Sequence, residues 1–259
     1  MIAQFAESTL LIVVVLFGGM LAMQAVGGRL GTRDRQRDPE GKLSGGAAEA
    51  AVVTLLGLLL GFTFSGAGAR FDVRRNLVVQ ETNAIGTAWL RLDLLPEARQ
   101  VQVKDLFRKY VDARIETYRA VPDMKAVAAA SAQARSLQQQ IWSTSVAGAV
   151  ETRNTPAFTL LLPALNSMIE ITRTRTAAIQ IHPPLAIYIM FAMIALVAAM
   201  FAGYGASDRK VANRMHRFGF AAVVTVAVYI IVDFDYPRLG LIQVTAMDQM
   251  MVELRQSMN

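Results

Sequence analysis

Residues 55–69 read LLGLLLGFTFSGAGA and run without a break into residues 70–83, RFDVRRNLVVQETN. Apolar and small residues give way to three arginines, Arg70, Arg74 and Arg75, within two helical turns. A guanidinium is costly in hydrocarbon, so Arg70 marks the membrane edge. No Gly-Pro punctuation separates the two halves, so one long helix leaves the membrane and continues into a charged region. Gly57, Gly61, Ser65 and Ala69 recur every four residues and lay a smooth strip along one face. Such strips let helices approach closely in lipid, where no hydrophobic effect drives them together. This helix is built to pack against something.

The rest of the chain fits an integral membrane protein. Its 259 residues are 54% apolar and 18% charged, with a mean hydropathy of +0.36. Windows of about 20 apolar residues read as spanning helices, and they occur at residues 9–26, 48–69, 185–204 and 218–234. The first lacks a basic n-region and its apolar run is too long for a cleavable signal peptide. The organisation expected is therefore two spans with a basic connecting loop (1–69), an extramembrane helical domain (70–182), two further spans (183–235) and a C-terminal tail (236–259).

The middle domain reads as nearly continuous helix. Leu95-Pro96-Glu97 is a helix start, and Val103, Leu106, Phe107, Tyr110, Val111 and Tyr118 follow at three- and four-residue spacing. Val121-Pro122-Asp123 resets the chain, and Val127, Leu137, Ile141 and Trp142 are the apolar contacts of the next helix. Thr155-Pro156 starts another, kinked near Pro163 and closed by His182-Pro183-Pro184. No period-two apolar runs occur, so the fold class is all-α. These stripes are core packing, with a minority role against another subunit, because one copy of such thin, Ala-rich helices buries a modest core.

Catalytic chemistry is not visible. The chain has no Walker loop, dinucleotide fingerprint, His-Glu-x-x-His motif or nucleophile elbow, and Gly66 and Gly68 lie inside an apolar helix. Zero cysteines remove thiolate nucleophiles and zinc-finger sites. His182 and His216 flank spans in separate loops and read as polar interface residues. The expectation is no enzyme, no cofactor and no metal. The net charge of +6 is read as topology and lipid contact rather than nucleic-acid binding. Basic residues concentrate in the first loop (Arg29, Arg33, Arg35, Arg37, Lys42) and the third (Arg209, Lys210, Arg214, Arg217). Short basic loops stay in the cytoplasm, which places the helical domain outside; the patch at Arg70, Arg74 and Arg75 argues the other way.

Span four ends Asp233-Phe234-Asp235-Tyr236-Pro237-Arg238-Leu239-Gly240. A carboxylate at the membrane edge needs a partner, and spans two and four end on the same side. Asp233 and Asp235 with Arg70, Arg74 and Arg75 are thus either a buried acidic–basic cluster at the mouth of a pathway or a solvated exit turn.

The run GFTFSGAGARFDVRRNLVVQETNAIG (61–86) resembles the second span and following helix of bestrophins, and DFDYPRLG (233–240) resembles the acidic segment after their fourth span. Both are similar to a family of bacterial four-span proteins labelled bestrophin-like, and the likeness covers nearly the whole chain. It implies a homo-oligomer, a pentamer as in bestrophins, in a bacterial inner membrane, with lipid and inorganic ions as partners. It also implies a pore along the second span, with Phe62, Phe64, Gly61 and Ser65 at an apolar neck. Arg70, Phe71, Arg74 and Arg75 match the basic exit, while Asp233, Asp235, Pro237 and Gly240 match a segment that helps some bestrophins bind calcium. The chain departs from that pattern: Gly61, Gly66 and Gly68 stand in the neck, and only two carboxylates remain in the acidic segment, against calcium gating. The resemblance also makes the helical domain cytoplasmic, opposite to the loop-charge reading. Gly57, Gly61 and Ala69 remain helix-packing positions. The rival function is a non-conducting membrane scaffold or sensor whose helical domain binds a partner.

Overall fold

The computed structural model describes residues 2–37, 46–151, 153, 155–206, 214–236, 241–242 and 245–258. Every regular element among them is helical: α1 (Ile2–Arg37), α2 (Gly46–Arg91), α3 (Glu97–Arg119), α4 (Met124–Glu151), α5 (Leu162–Gln180), α6 (Leu185–Gly205), α7 (Arg214–Asp235) and α8 (Thr245–Gln256). Four stretches are long and apolar enough to cross a membrane: Leu11–Arg37, Ala47–Leu94, Ala157–Gly205 and Met215–Asp235. The uninterrupted junction is confirmed, because α2 runs for 46 residues. At 1.5 Å per residue that is about 70 Å, more than twice the ~30 Å of hydrocarbon. The helix is therefore longer than a bilayer is thick, and part of it extends beyond the hydrocarbon.

Contacts divide the chain into two compact units. One joins Ala3–Arg70 to His182–Tyr236, and the other joins Phe71–Ile181 to Pro237–Asn259. The first unit holds α1, α6, α7 and the early part of α2 around Leu16, Met20, Leu56, Phe191, Ala195, Ala198, Ala199, Ala221 and Val224. Here α1 and α6 touch backbone to backbone. A Cβ placed at Gly27 would stand 1.9 Å from the Met200 carbonyl oxygen, and one at Gly203 would stand 2.1 Å from that of Gln24. This is the close approach that glycine permits in lipid. Gln24 and Arg217 lock α1 to α7 by exchanging side-chain bonds to each other's carbonyl oxygens, at 3.1 and 2.8 Å. The arginines assigned to a first loop, Arg29, Arg33, Arg35 and Arg37, lie on the last turns of α1, while Lys42, Arg209 and Lys210 lie outside the described residues.

The second unit packs α3, α4, α5, α8 and the later part of α2. Ile85, Leu92, Phe107, Tyr110, Ile141, Leu161, Leu165 and Met168 are fully buried in its core, each such side chain contributing about 1.5–3 kcal/mol. The stripe read on α3 is buried as expected, with Leu106 partly so. Asp123 caps α4, its Oδ1 accepting from the Lys125 and Ala126 amides at 2.9 and 3.2 Å. The irregularity expected near Pro163 falls one turn earlier, as a π-helical turn over Ala157–Leu161. Pro163 has no N–H to donate to Thr159, and the wider turn takes up the mismatch. Trp142, read as a core contact, is 37% exposed. Residues 236–259, read as a tail, contain α8, whose Met251 joins the same core as Met258. Arg255 pairs with Asp112 of α3 at 2.8 Å, and Arg108 donates to the Met258 carbonyl at 2.6 Å.

Candidate functional site

The spanning part of α2 buries one face and leaves the other bare. Leu56 and Ala67 are buried; Gly57, Leu58, Gly61, Phe62, Ser65 and Ala69 are exposed. Its most apolar window is 11% buried, against 22–33% for the other three spans. Nothing lies within 4 Å of the position a Cβ would take at Gly57, Gly61 or Gly68. The Thr63 hydroxyl is satisfied within the helix, donating to the Leu59 carbonyl at 2.6 Å. Phe62 and Phe64 are about 200° apart around the helix and have different surroundings. Phe64 sets its ring edge-on to Phe234 of α7, centroids 5.6 Å apart. Phe62 is 67% exposed, among the most exposed large apolar residues of the chain.

At the end of this unit Arg70 meets Asp235. Its Nε donates to Oδ1 at 2.7 Å and its Nη2 to Oδ2 at 3.0 Å, and the Tyr188 hydroxyl donates to Oδ2 at 2.7 Å. The carboxylate is fully buried. Both of its oxygens are engaged by protein donors, which is the bidentate geometry that arginine supplies best. The sequence reading asked which basic groups meet Asp233 and Asp235; the structure pairs Arg70 with Asp235. Two positions along a helix is about 200°, so Asp233, also buried, faces another side of α7. His182 stacks on Tyr236 at 4.3 Å and 15°. Pro237 and Gly240 lie outside the described residues.

Arg74 and Arg75 belong to the other unit and separate. Arg74 is buried and donates to the Ala178 and Ile181 carbonyls at 3.2 and 3.0 Å. These carbonyls belong to the C-terminal end of α5, where orphan acceptors and the helix dipole both favour a cation. Arg75 is exposed, 3.6 Å from Asp72 and over the Phe71 ring.

Sequence reasoning missed the strongest electrostatic feature of the second unit. Glu81 of α2 is fully buried between Arg114 of α3, with Nε 2.6 Å from Oε1, and Arg175 of α5. Tyr118 donates to Glu81 Oε2 at 3.2 Å, accepts from Arg114, and lays its ring 3.8 Å from the Arg175 guanidinium carbon. Burial alone would raise the Glu81 carboxyl, but the two guanidiniums hold it below its ordinary value. Burial, reinforced by the Glu81 charge, pushes the Tyr118 and Tyr110 hydroxyls up. Beside this cluster Gln138 donates to Tyr110 at 3.1 Å and to Thr172 at 3.3 Å. The signal available in the sequence is that Glu81, Arg114 and Arg175 each fall on the apolar stripe of their helix.

The comparisons with known proteins agree with this architecture. A crystal structure of a bacterial bestrophin homologue from Klebsiella pneumoniae, with a tryptophan replaced by alanine, matches with a TM-score of 0.70 and 12% identity over 95% of this chain and 97% of that one. A second structure of a bacterial bestrophin homologue from the same organism, with a tyrosine replaced by alanine, matches with a TM-score of 0.65 and 13% identity over 92% and 97%. Identities this low speak for the fold alone. No curated protein matches the chain. The model of the bestrophin-like domain matches residues 14–247, and the chain belongs to the bestrophin-like family of membrane proteins.

Proposed function

We propose that the chain assembles as a homo-oligomer in a bacterial inner membrane and conducts ions along an axis lined by α2. The observation that carries this reading is the bare face of that helix. Phe62 and the Gly57, Gly61, Ser65, Ala69 strip are exposed in one chain, and among the described residues nothing lies within 4 Å of a Cβ placed at Gly57 or Gly61. In such an assembly Phe62 supplies a bulky apolar constriction, which gates by excluding water, while Phe64 holds α2 against α7. Arg70 with Asp235 forms a neutralised pair at the pathway's mouth, Arg74 is spent on α5, and Arg75 is the outward cation; Asp233 adds a buried carboxylate on α7. Residues 70–182 form the extramembrane helical domain, between the spanning parts 1–69 and 183–235.

The test is conductance of purified protein in planar bilayers, beside an oligomer count by native mass spectrometry. Ion currents from a defined oligomer support the proposal. A stable oligomer that is silent across salts and voltages makes the chain a membrane scaffold, with the helical domain as its partner-binding part.

A further inference from the structure

Between α4 and α5 the second unit opens into a cavity of about 790 Å³, within the range of small-molecule sites. It is unlike an ordinary surface groove in two respects. Its floor is polar and buried: Arg114, Gln138 and Thr172 line it, each less than a tenth exposed. Its charge is unbalanced. Arg135 on the α4 wall and Arg173 on the α5 wall line it, and neither has an ion-pair partner among the described residues. Beneath them Arg114 and Arg175 share the single carboxylate of Glu81. Tyr118 supports both guanidiniums through its ring but carries no charge to offset the second. Of these groups Arg114, Arg175 and Glu81 are buried, so two guanidiniums stand against one carboxylate beneath the exposed Arg135, Arg173 and Glu170. Buried charge is ordinarily matched by opposite charge, and here the excess positive charge borders an open cavity.

We infer that this cavity binds a small organic anion bearing carboxylate groups, gripped by Arg135 and Arg173 over the Glu81–Arg114–Arg175 floor. A guanidinium presents a planar fork of donors that matches a carboxylate. Trp142, whose side chain lines the cavity and is otherwise left half in the open, offers its ring to the apolar body of the ligand. Such binding adds the missing negative charge to the cluster and bridges α4 to α5.

The experiment is isothermal titration calorimetry of the full-length protein in detergent with succinate as probe, and with inorganic phosphate and chloride as separate arms. Arg135 and Arg173 are exposed, so alanine at either leaves the core intact. Succinate is expected to bind to wild type, at least tenfold more weakly to Arg135→Ala and to Arg173→Ala, and more weakly as salt is raised. Glu170→Gln is expected to bind at least as tightly as wild type. Absence of succinate binding, or equal binding by wild type and the Arg135→Ala/Arg173→Ala double variant, overturns the proposal. Phosphate binding as tightly as succinate overturns the assignment to carboxylates. A double variant that changes oligomer mass, in a protein that binds no succinate, assigns the cavity to a neighbouring copy instead. None of these readings depends on conductance, so the proposal stands or falls separately from the channel.

Discussion

Glu81→Gln removes one charge and almost no volume, and it leaves Arg114 and Arg175 buried without their carboxylate. Removing one partner of a buried ion pair costs about 3–5 kcal/mol, because the charge left behind is neither paired nor hydrated. The glutamine oxygen still accepts a hydrogen bond, which offsets about 1 kcal/mol. The net loss is then about 3–4 kcal/mol, since two guanidiniums rather than one lose their partner. For a unit of roughly 130 residues the unfolding entropy is about 0.28 kcal/mol/K, so the melting temperature falls by about 11–14 °C. The chain's two tryptophans, Trp89 and Trp142, both lie in this unit, so their emission in a detergent melt reports it rather than the spans. Glu151→Gln serves as control. It breaks the exposed Arg99–Glu151 pair, 3.2 Å long, worth about 0–1 kcal/mol, and should move the melt by no more than about 4 °C. A Glu81→Gln melt within about 3 °C of wild type, with the control behaving, refutes the cluster as the pin of the helical domain.

Gly61→Leu should shift detergent-solubilised protein towards monomer by native mass spectrometry, because a Cβ at Gly61 meets nothing within 4 Å among the described residues; an unchanged mass removes the strip from the interface. Phe62→Ala should raise resting conductance several-fold, whereas Phe64→Ala, losing its contact with Phe234, should mainly weaken stability; equal effects, or none, place the constriction elsewhere. Single cysteines at Ser44 and Gln133 of this cysteine-free chain test topology with an impermeant thiol reagent in intact cells. The loop charges predict labelling at Gln133 and protection at Ser44, and the reverse pattern gives the bestrophin orientation. Because the Glu81 carboxyl is held below its ordinary value, its stabilisation is complete above about pH 4.5 and is lost as pH falls through the lower folded value. The tryptophan-reported melt should therefore drop on acidification more steeply in wild type than in Glu81→Gln.

What could be read from the sequence was local. The length of α2 follows from a run with no Gly-Pro break, and the α3 stripe follows from three- and four-residue spacing. The partners of Glu81 lie 33 and 94 residues away, and no spacing rule links residues that far apart. Its position on the stripe Leu77, Val78, Glu81, Ile85, Ala88 is visible, but a charge is ordinarily read as facing water. The Ala178 and Ile181 carbonyls that Arg74 meets could not be read either, because every residue owns a backbone carbonyl. Trp142 reads in sequence as an apolar contact of α4. The buried positions of α4 are Ala130, Ala134, Leu137, Gln138, Ile141, Ser145, Gly148 and Ala149, and Trp142 falls beside that face. The acidic segment was found, but which aspartate meets Arg70 depends on the rotation of α7, and one residue's difference is about 100°.

The glycines of the spanning helices carry the last step. Gly27 and Gly203 are explained within one chain, because a Cβ at either would run into a backbone carbonyl of the facing helix. Gly57 and Gly61 have the same look in sequence and the opposite surroundings, since a Cβ there would meet nothing within 4 Å among the described residues. Glycine in a helix interior costs about 1 kcal/mol relative to alanine, and a helix facing only lipid has no reason to bear that cost twice on one face. A second body that comes close to this face supplies the reason. Phe62, next to Gly61 and 67% exposed, then stands where the approaching copies converge. That is why Gly61→Leu and Phe62→Ala form a linked pair of tests. If α2 meets its copies along this strip, the leucine disrupts assembly and the alanine opens the path; if it meets lipid alone, both variants leave mass and conductance as they were.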